Sequence, residues 1–163
     1  MKASLRLADK SDVAFFKTAS THQSIVENTY LPVFEDDSDI ELWISDHENI
    51  FVILDGDLPC GSITIHGQVN TGGADVLLPR GSREVEVWLL PTARGKGLAQ
   101  EAHHMMLQLI PRVEALVAIV WTENQPSIRL FQGLGYNHFS NIHWKGPDGE
   151  GECWLGVLHP PSH

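Results

Sequence analysis

The chain has 163 residues, 42 % hydrophobic and 20 % charged, the balance of one globular domain and not of a disordered segment. At that length folding buries about 68–70 % of the surface an unfolded chain exposes, so neither a disulfide nor a metal is required to hold it. Its 21 Asp and Glu against 11 Lys and Arg leave a formal charge of −10, which speaks against binding nucleic acid or an anionic membrane through bulk charge and favours neutral or cationic partners.

No apolar run reaches the roughly 18 residues of a membrane span. Lys2, Arg6, Asp9, Lys10 and Asp12 interrupt the stretch where a signal peptide would carry its apolar core. The two cysteines, Cys60 and Cys153, are expected to be reduced, and a cytoplasmic location is the default.

In chain order, Ser4-Leu5-Arg6-Leu7 alternates as a half-buried strand does, and Asp9 or Ser11 can cap a helix carrying Val13, Phe16 and Ala19. Residues 22–47 read as helical pieces broken near Leu31-Pro32, the second starting in the acidic run from Glu35 to Asp39 and burying Ile40, Trp43 and Ile44. Ile50 to Leu54 and Gly61 to His66 form two strands around the turn Asp55-Gly56-Asp57. Gly67 to Ser82, with Gly72-Gly73, Pro79 and Gly81, reads as a long loop that is mobile or functional. In the following strand, Arg83 to Leu90, alternation sets Glu84, Glu86 and Trp88 on one face and Val85, Val87 and Leu89 on the other.

A helix runs from about Gly97 to Ile110 and stops at Pro111. Leu116 to Trp121 is an unbroken apolar run, as expected of a strand buried on both faces. A short helix from Pro126 to Leu134 ends at Gly135. Two last strands, Asn137–Trp144 and Glu152–Leu158, flank a hairpin turn at Gly146-Pro147-Asp148-Gly149, and the tail His159 to His163 reads as frayed. With no repeat and no linker, residues 1–163 are expected to form one mixed α/β domain.

The most informative stretch is Leu89-Leu90-Pro91-Thr92-Ala93-Arg94-Gly95-Lys96-Gly97-Leu98-Ala99, between a strand and a helix. Its glycines let backbone N–H groups approach a ligand, and the helix start adds unpaired donors and the positive end of the dipole. With Arg94 and Lys96 these make an anion site suited to a pyrophosphate. It is not a Walker A loop, since Gly97 stands where Ser or Thr must follow the lysine, and it lacks the third glycine of the dinucleotide fingerprint.

Arg94-Gly95-Lys96-Gly97-Leu98-Ala99 resembles the Arg/Gln-x-x-Gly-x-Gly/Ala signature of the GNAT acyl-CoA N-acyltransferase superfamily. Glu123-Asn124-Gln125-Pro126-Ser127 through Phe131 to Gly135-Tyr136 is similar to that family's Asn-x-x-Ser segment, so the resemblance is strongest over residues 83–136. It implies a twisted, mostly antiparallel sheet of about seven strands with flanking helices and a cleft between the fourth and fifth. Pantetheine would pair with backbone near Leu89 and Leu90, the coenzyme pyrophosphate would sit on amides from Arg94 to Ala99, and Asn124 and Ser127 would contact the coenzyme from the other wall.

The implied reaction is direct transfer of an acetyl group from acetyl-CoA to an amine, which needs a base, because an aliphatic ammonium has a pKa near 10. Glu84 and Glu86 are the candidates, Glu84 first by the family pattern, against a plain solvated strand face. A backbone N–H at Leu89 or Leu90 would hold the oxyanion. The chain departs from the family at Phe131, where many members carry a tyrosine that protonates the thiolate. Tyr136 is a weak substitute, and a thiol of pKa near 8.5 can leave as thiolate unaided. The departure leaves open a non-catalytic acyl-CoA-binding module.

No metal is expected. His103 and His104 are adjacent on a helix and point about 100° apart, and Glu101-x-x-His104 occurs once. Cysteine nucleophilic catalysis has little support either. The acceptor pocket would draw on residues 22–45 and the turn at Pro147-Asp148. Glu27, Asp36, Asp37, Asp39 and Glu41 make the first of these negative, which favours a small cationic amine over a protein N-terminus or lysine, unless those acids only cap and solvate helices. No nucleic acid and no membrane are expected as partners, and a homodimer is an open possibility.

Overall fold

The computed structural model describes residues 2–47, 49–147 and 149–161. Asp148 of the expected hairpin turn, and Ser162 and His163 of the expected tail, lie outside them. The described residues form β1 (Ala3–Leu7), α1 (Val13–Ala19), α2 (Gln23–Val26), α3 (Asp37–Ser45), β2 (Ile50–Asp55), β3 (Leu58–Ile65), β4 (Ser82–Leu89), α4 (Leu98–Leu109), β5 (Ala115–Trp121), α5 (Gln125–Gly133), β6 (Asn137–Gly146) and β7 (Gly149–Leu158). The strands make one mostly antiparallel sheet in the order β1-β2-β3-β4-β5-β7-β6, with β4 and β5 parallel. This is the mixed α/β architecture that the sequence leads one to expect. The chain divides into two compact units, Met1–Ile65 with Glu86–Ile110 and His66–Val85 with Pro111–His163.

In the first unit, β1 and β2 pair antiparallel from Ala3↔Asp55 to Leu7↔Phe51, and β2 returns into β3 through a turn at Gly56, whose φ of 62° suits glycine. Asp9 rather than Ser11 makes the cap: its carboxylate accepts the Ser11 N–H in a capping box with Asp12, starting a 3-10 turn, Lys10–Asp12, ahead of α1. Arg6 holds Asp12, only 2 % exposed, with two 2.8 Å bonds, the fork-on-carboxylate arrangement in which a buried charge is paired. The core packs Phe16, Ile25, Leu31, Ile40, Ile44, Ile50 and Val52 around Trp88 of β4. Phe15 stacks on Trp88 with centroids 5.6 Å apart, and Trp43 meets Phe16 edge-on at 5.2 Å.

α4 buries Leu98, Ala102, His103 and Met106. The Glu101 carboxylate in its first turn accepts the N–H groups of Ala3 at 2.9 Å and Lys2 at 3.2 Å, tying β1 to the helix and holding that carboxyl below its ordinary range, the Ala3 N–H being the main cause. His103 is 1 % exposed, and burial, then the neighbouring His104, push it down to about 4. An unfolded histidine takes its proton near 6.5. The buried ring therefore contributes stability that is present above about pH 6.5 and is lost as pH falls toward 4, to a limit of roughly 3 kcal/mol. The melting temperature is expected to drop over that window in wild type and to drop less in His103→Leu; equal drops by calorimetry would remove His103 as the cause.

In the second unit, the start of β4 pairs with β5 from Ser82↔Ala115 to Glu84↔Val117, β5 pairs with β7 from Leu116↔Leu158 to Trp121↔Cys153, and β6 forms a long hairpin with β7. A register shift between His138 and Ser140 leaves Phe139 47 % exposed. The connection from β3 to β4 lacks regular structure as expected, yet it is fastened down. Trp144 Nε1 donates to the Asn70 carbonyl at 3.0 Å, and the Lys145 N–H to the Gly72 carbonyl at 3.1 Å. Gly72, at φ 61°, lies so close to the Trp144 ring that a Cβ there would sit 2.4 Å from Cγ. The fastening comes from β6, far along the chain.

Candidate functional site

The anion loop is built as its composition dictates. β4 ends at Leu89, a 3-10 turn spans Pro91–Ala93, and Gly95 and Gly97 take φ values of 79° and 77°, with no atom within 4 Å of a Cβ position at Gly95. Gly97 is the N-cap of α4 and, as a glycine, brings no side-chain cap of its own to that end. The first intrahelical bond runs from Glu101 N–H to the Gly97 carbonyl, so the N–H groups of Leu98, Ala99 and Gln100 precede it and face out of the helix end. Glu101, the acid of this turn, is occupied with β1. Twelve residues of aligned peptide dipoles therefore present positive potential at an open glycine bend, which fits a pyrophosphate.

The two basic side chains differ in what holds them. Lys96 pairs with Asp55 of the β2–β3 hairpin at 3.7 Å, both half-exposed. Arg94 reaches back, Nε donating to the Leu89 carbonyl at 3.3 Å and Nη2 to the Ser24 hydroxyl on α2 at 3.2 Å. Nothing in the sequence singles out Ser24 or Asp55, because neither stands near the loop along the chain.

The oxyanion expectation is corrected at one position. The Leu90 N–H donates to the Cys60 carbonyl at 2.8 Å, so it is committed to β3. Successive N–H groups of an extended strand point to opposite edges, which turns the Leu89 N–H away from β3. Gly61 keeps this junction tight: a Cβ there would lie 2.4 Å from the Trp88 carbonyl oxygen and 2.7 Å from Leu89 Cδ2.

The two carboxylates of β4 sit in different surroundings. Glu84 is 3 % exposed and accepts the Asn70 N–H at 2.8 Å, so it is not part of a solvated face. Glu86 is half-buried and accepts the Tyr30 N–H, from the segment between α2 and α3, at 2.8 Å. Of the acids expected to draw a cation, Asp36 caps α3 by accepting the Asp39 N–H at 3.0 Å, Asp37 pairs with Lys17 at 3.0 Å, and Glu27 accepts from Gln23. Those three have structural duties, which weakens the acidic run as a signal for the acceptor.

In the second unit, Asn124 is the N-cap of α5 and donates its N–H to the Trp121 carbonyl at 2.9 Å, and Ser127 lies half-buried in the first turn. Phe131 and Tyr136 are both 3 % exposed and meet edge-on at 5.1 Å. Burial pushes the Tyr136 hydroxyl far above its ordinary value. Both cysteines are free and buried, and among the described residues no group of three or more His, Cys, Asp or Glu is arranged to hold a metal.

The model of the acetyltransferase (GNAT) domain matches residues 3–137. The chain belongs to the GNAT acetyltransferase family. Among solved structures, the fold is similar to spermidine N-acetyltransferase from Vibrio cholerae in complex with CoA and spermine, at 16 % identity and TM-score 0.76, with 97 % of this chain and 95 % of that one covered. Ribosomal-protein-alanine N-acetyltransferase from Brucella melitensis is similar at 16 % identity and TM-score 0.73, covering 96 % and 99 %. yncA from Salmonella typhimurium, solved with acetyl-CoA, is similar at 19 % identity and TM-score 0.73, covering 100 % and 96 %. No curated protein matches significantly. At such identities these neighbours speak for the GNAT fold alone, and two of them bear names with different acceptors.

Proposed function

We propose that this GNAT domain, acting as one unit over residues 1–163, transfers the acetyl group of acetyl-CoA directly to a small cationic amine. The observation that carries the reading is the glycine bend at Gly95 and Gly97 opening onto a helix end whose N-cap is a glycine. In it, amides from Gly95 to Ala99 and Lys96 hold the pyrophosphate, and the carbonyls of Leu89 and Leu90, each keeping a lone pair beyond the bond it accepts from Arg94 or from the Ala93 N–H, take the pantetheine amides. Asn124 and Ser127 keep their family-derived role as further coenzyme contacts.

Glu86 is the better base on environment. It is half-exposed, whereas Glu84 is enclosed and bonded to the β3–β4 connection. Glu86 takes a proton from the acceptor ammonium, the free amine adds to the thioester carbonyl while the Leu89 N–H faces the developing oxyanion, and collapse breaks the C–S bond so that the thiolate leaves with no acid from Phe131. The reading includes a cytoplasmic location, in keeping with two free cysteines.

Phe131 and the enclosed Tyr136 favour one second reading, an acyl-CoA-binding module without turnover. A melting-temperature rise with acetyl-CoA, followed by thiol release across a panel of amines, separates the two. Turnover of a small amine supports the transferase. A shift with no turnover supports the module, and the absence of any shift overturns both.

A further inference from the structure

Between α2 and α3 the chain makes a turn that one hydroxyl holds together. The Thr29 side chain donates to the Ile25 carbonyl at 2.7 Å and accepts the Leu31 N–H at 3.1 Å. The first bond ties the turn back to the end of α2, and the second closes the chain around Tyr30. Both ends of this bridge are anchored: Ile25 is 1 % exposed and Leu31 3 %, and both belong to the core that contains Trp88. Asn28 tightens the same turn, its side chain donating to the Ser24 carbonyl at 2.7 Å.

Tyr30, the residue so enclosed, gives its N–H to Glu86 Oε2 at 2.8 Å. Ile25, Thr29, Tyr30, Leu31 and Glu86 all belong to the first unit. The strand beneath Glu86 is held as well, because Trp88, two places on and on the same face, packs in that core. A glutamate carboxylate can swing about the bonds of its own side chain. An amide whose place is fixed by the Thr29 hydroxyl selects one orientation of it. General-base catalysis depends on that orientation, since the base must lie within hydrogen-bond reach of the proton it takes. A small displacement of a reacting group is costly in rate.

We infer that Thr29 is a positioning residue for the base: its hydroxyl sets the Tyr30 N–H, and that N–H orients the Glu86 carboxylate toward the acceptor ammonium. This rests on the transferase reading with Glu86 as base. The test uses Thr29→Val, which keeps the shape and removes the hydroxyl, and Thr29→Ser, which keeps the hydroxyl. Thr29→Val is expected to lower kcat by about 10-fold with KM for acetyl-CoA within about 2-fold of wild type. Thr29→Ser should recover most of the loss, and Thr29→Ala repeats the comparison without a bulky replacement. In a Glu86→Gln background, Thr29→Val is expected to lower kcat by less than about 2-fold, because orienting a group that takes no proton gains nothing. A merely structural role would lower kcat by the same factor in both backgrounds. Without reference to turnover, exchange of the Tyr30 amide hydrogen followed by NMR should quicken by about 10-fold in Thr29→Val and stay near wild type in Thr29→Ser.

Full activity in Thr29→Val, or equal losses in the two backgrounds, overturns the assignment while turnover itself still stands. Unchanged Tyr30 exchange in Thr29→Val overturns it whatever the kinetics. Quickened exchange, without turnover of any amine by wild type, upholds Thr29 as the residue that orients Glu86 and overturns the transferase reading. Neither quickened exchange nor turnover overturns both.

Discussion

Replacing Glu86 by glutamine is expected to lower kcat by about 10²-fold or more with little change in the affinity for acetyl-CoA. The substitution is conservative where the fold is concerned, because the glutamine Oε1 can still accept the Tyr30 N–H that Glu86 accepts at 2.8 Å. What it removes is the capacity to take a proton from an ammonium of pKa near 10. Glu84→Gln is the paired control: the amide side chain would keep the bond from the Asn70 N–H, so a positioning role predicts a change within about 3-fold. Steady-state kinetics on both variants, with the acetyl-CoA-induced melting shift as a binding check, decides the matter. A collapse in Glu84→Gln beside a normal Glu86→Gln would hand the base role to Glu84.

Trp144→Ala is expected to produce the largest loss of stability. The ring is 6 % exposed, lies over Gly146 and Gly72, and carries the hydrogen bond to Asn70. Truncating a buried tryptophan costs about 3–5 kcal/mol, which in a chain of this size lowers the melting temperature on the order of 10 °C. Trp144→Phe keeps most of the packing and loses the N–H donor, at a cost of about 1 kcal/mol. Limited proteolysis should find the 67–81 connection newly cleavable in Trp144→Ala. A melting temperature within about 2 °C of wild type would sink the claim that this ring holds the connection.

What could be read from the sequence was what neighbouring residues decide among themselves. The β2–β3 hairpin follows from an apolar run, a turn with Gly56 and a second apolar run, and the glycine bend at residues 94–99 follows from where it stands between a strand and a helix. The helical face of Phe16 and Ala19 appears as its spacing requires. Three features were out of reach for one physical reason: they depend on partners brought in by the fold. The Leu90 N–H looks available until Cys60 is placed across from it. Glu84 and Glu86 look equivalent by alternation, and they differ because two distant backbone amides, those of Asn70 and Tyr30, arrive at them. The segment from Gly67 reads as loose by composition, whereas Trp144, 74 residues beyond Asn70, fixes it.

The enclosure of the two cysteines has a practical side. Cys60 is 5 % exposed and Cys153 3 %, and burial, ahead of the nearby carboxylates, raises both thiols above their ordinary range. Disulfide reagents react with thiolates, so the native protein is expected to react slowly with the chromogenic reagents used to count liberated coenzyme A. Colour arising in a parallel cuvette without substrates then marks chains that have opened, and subtracting it leaves the product.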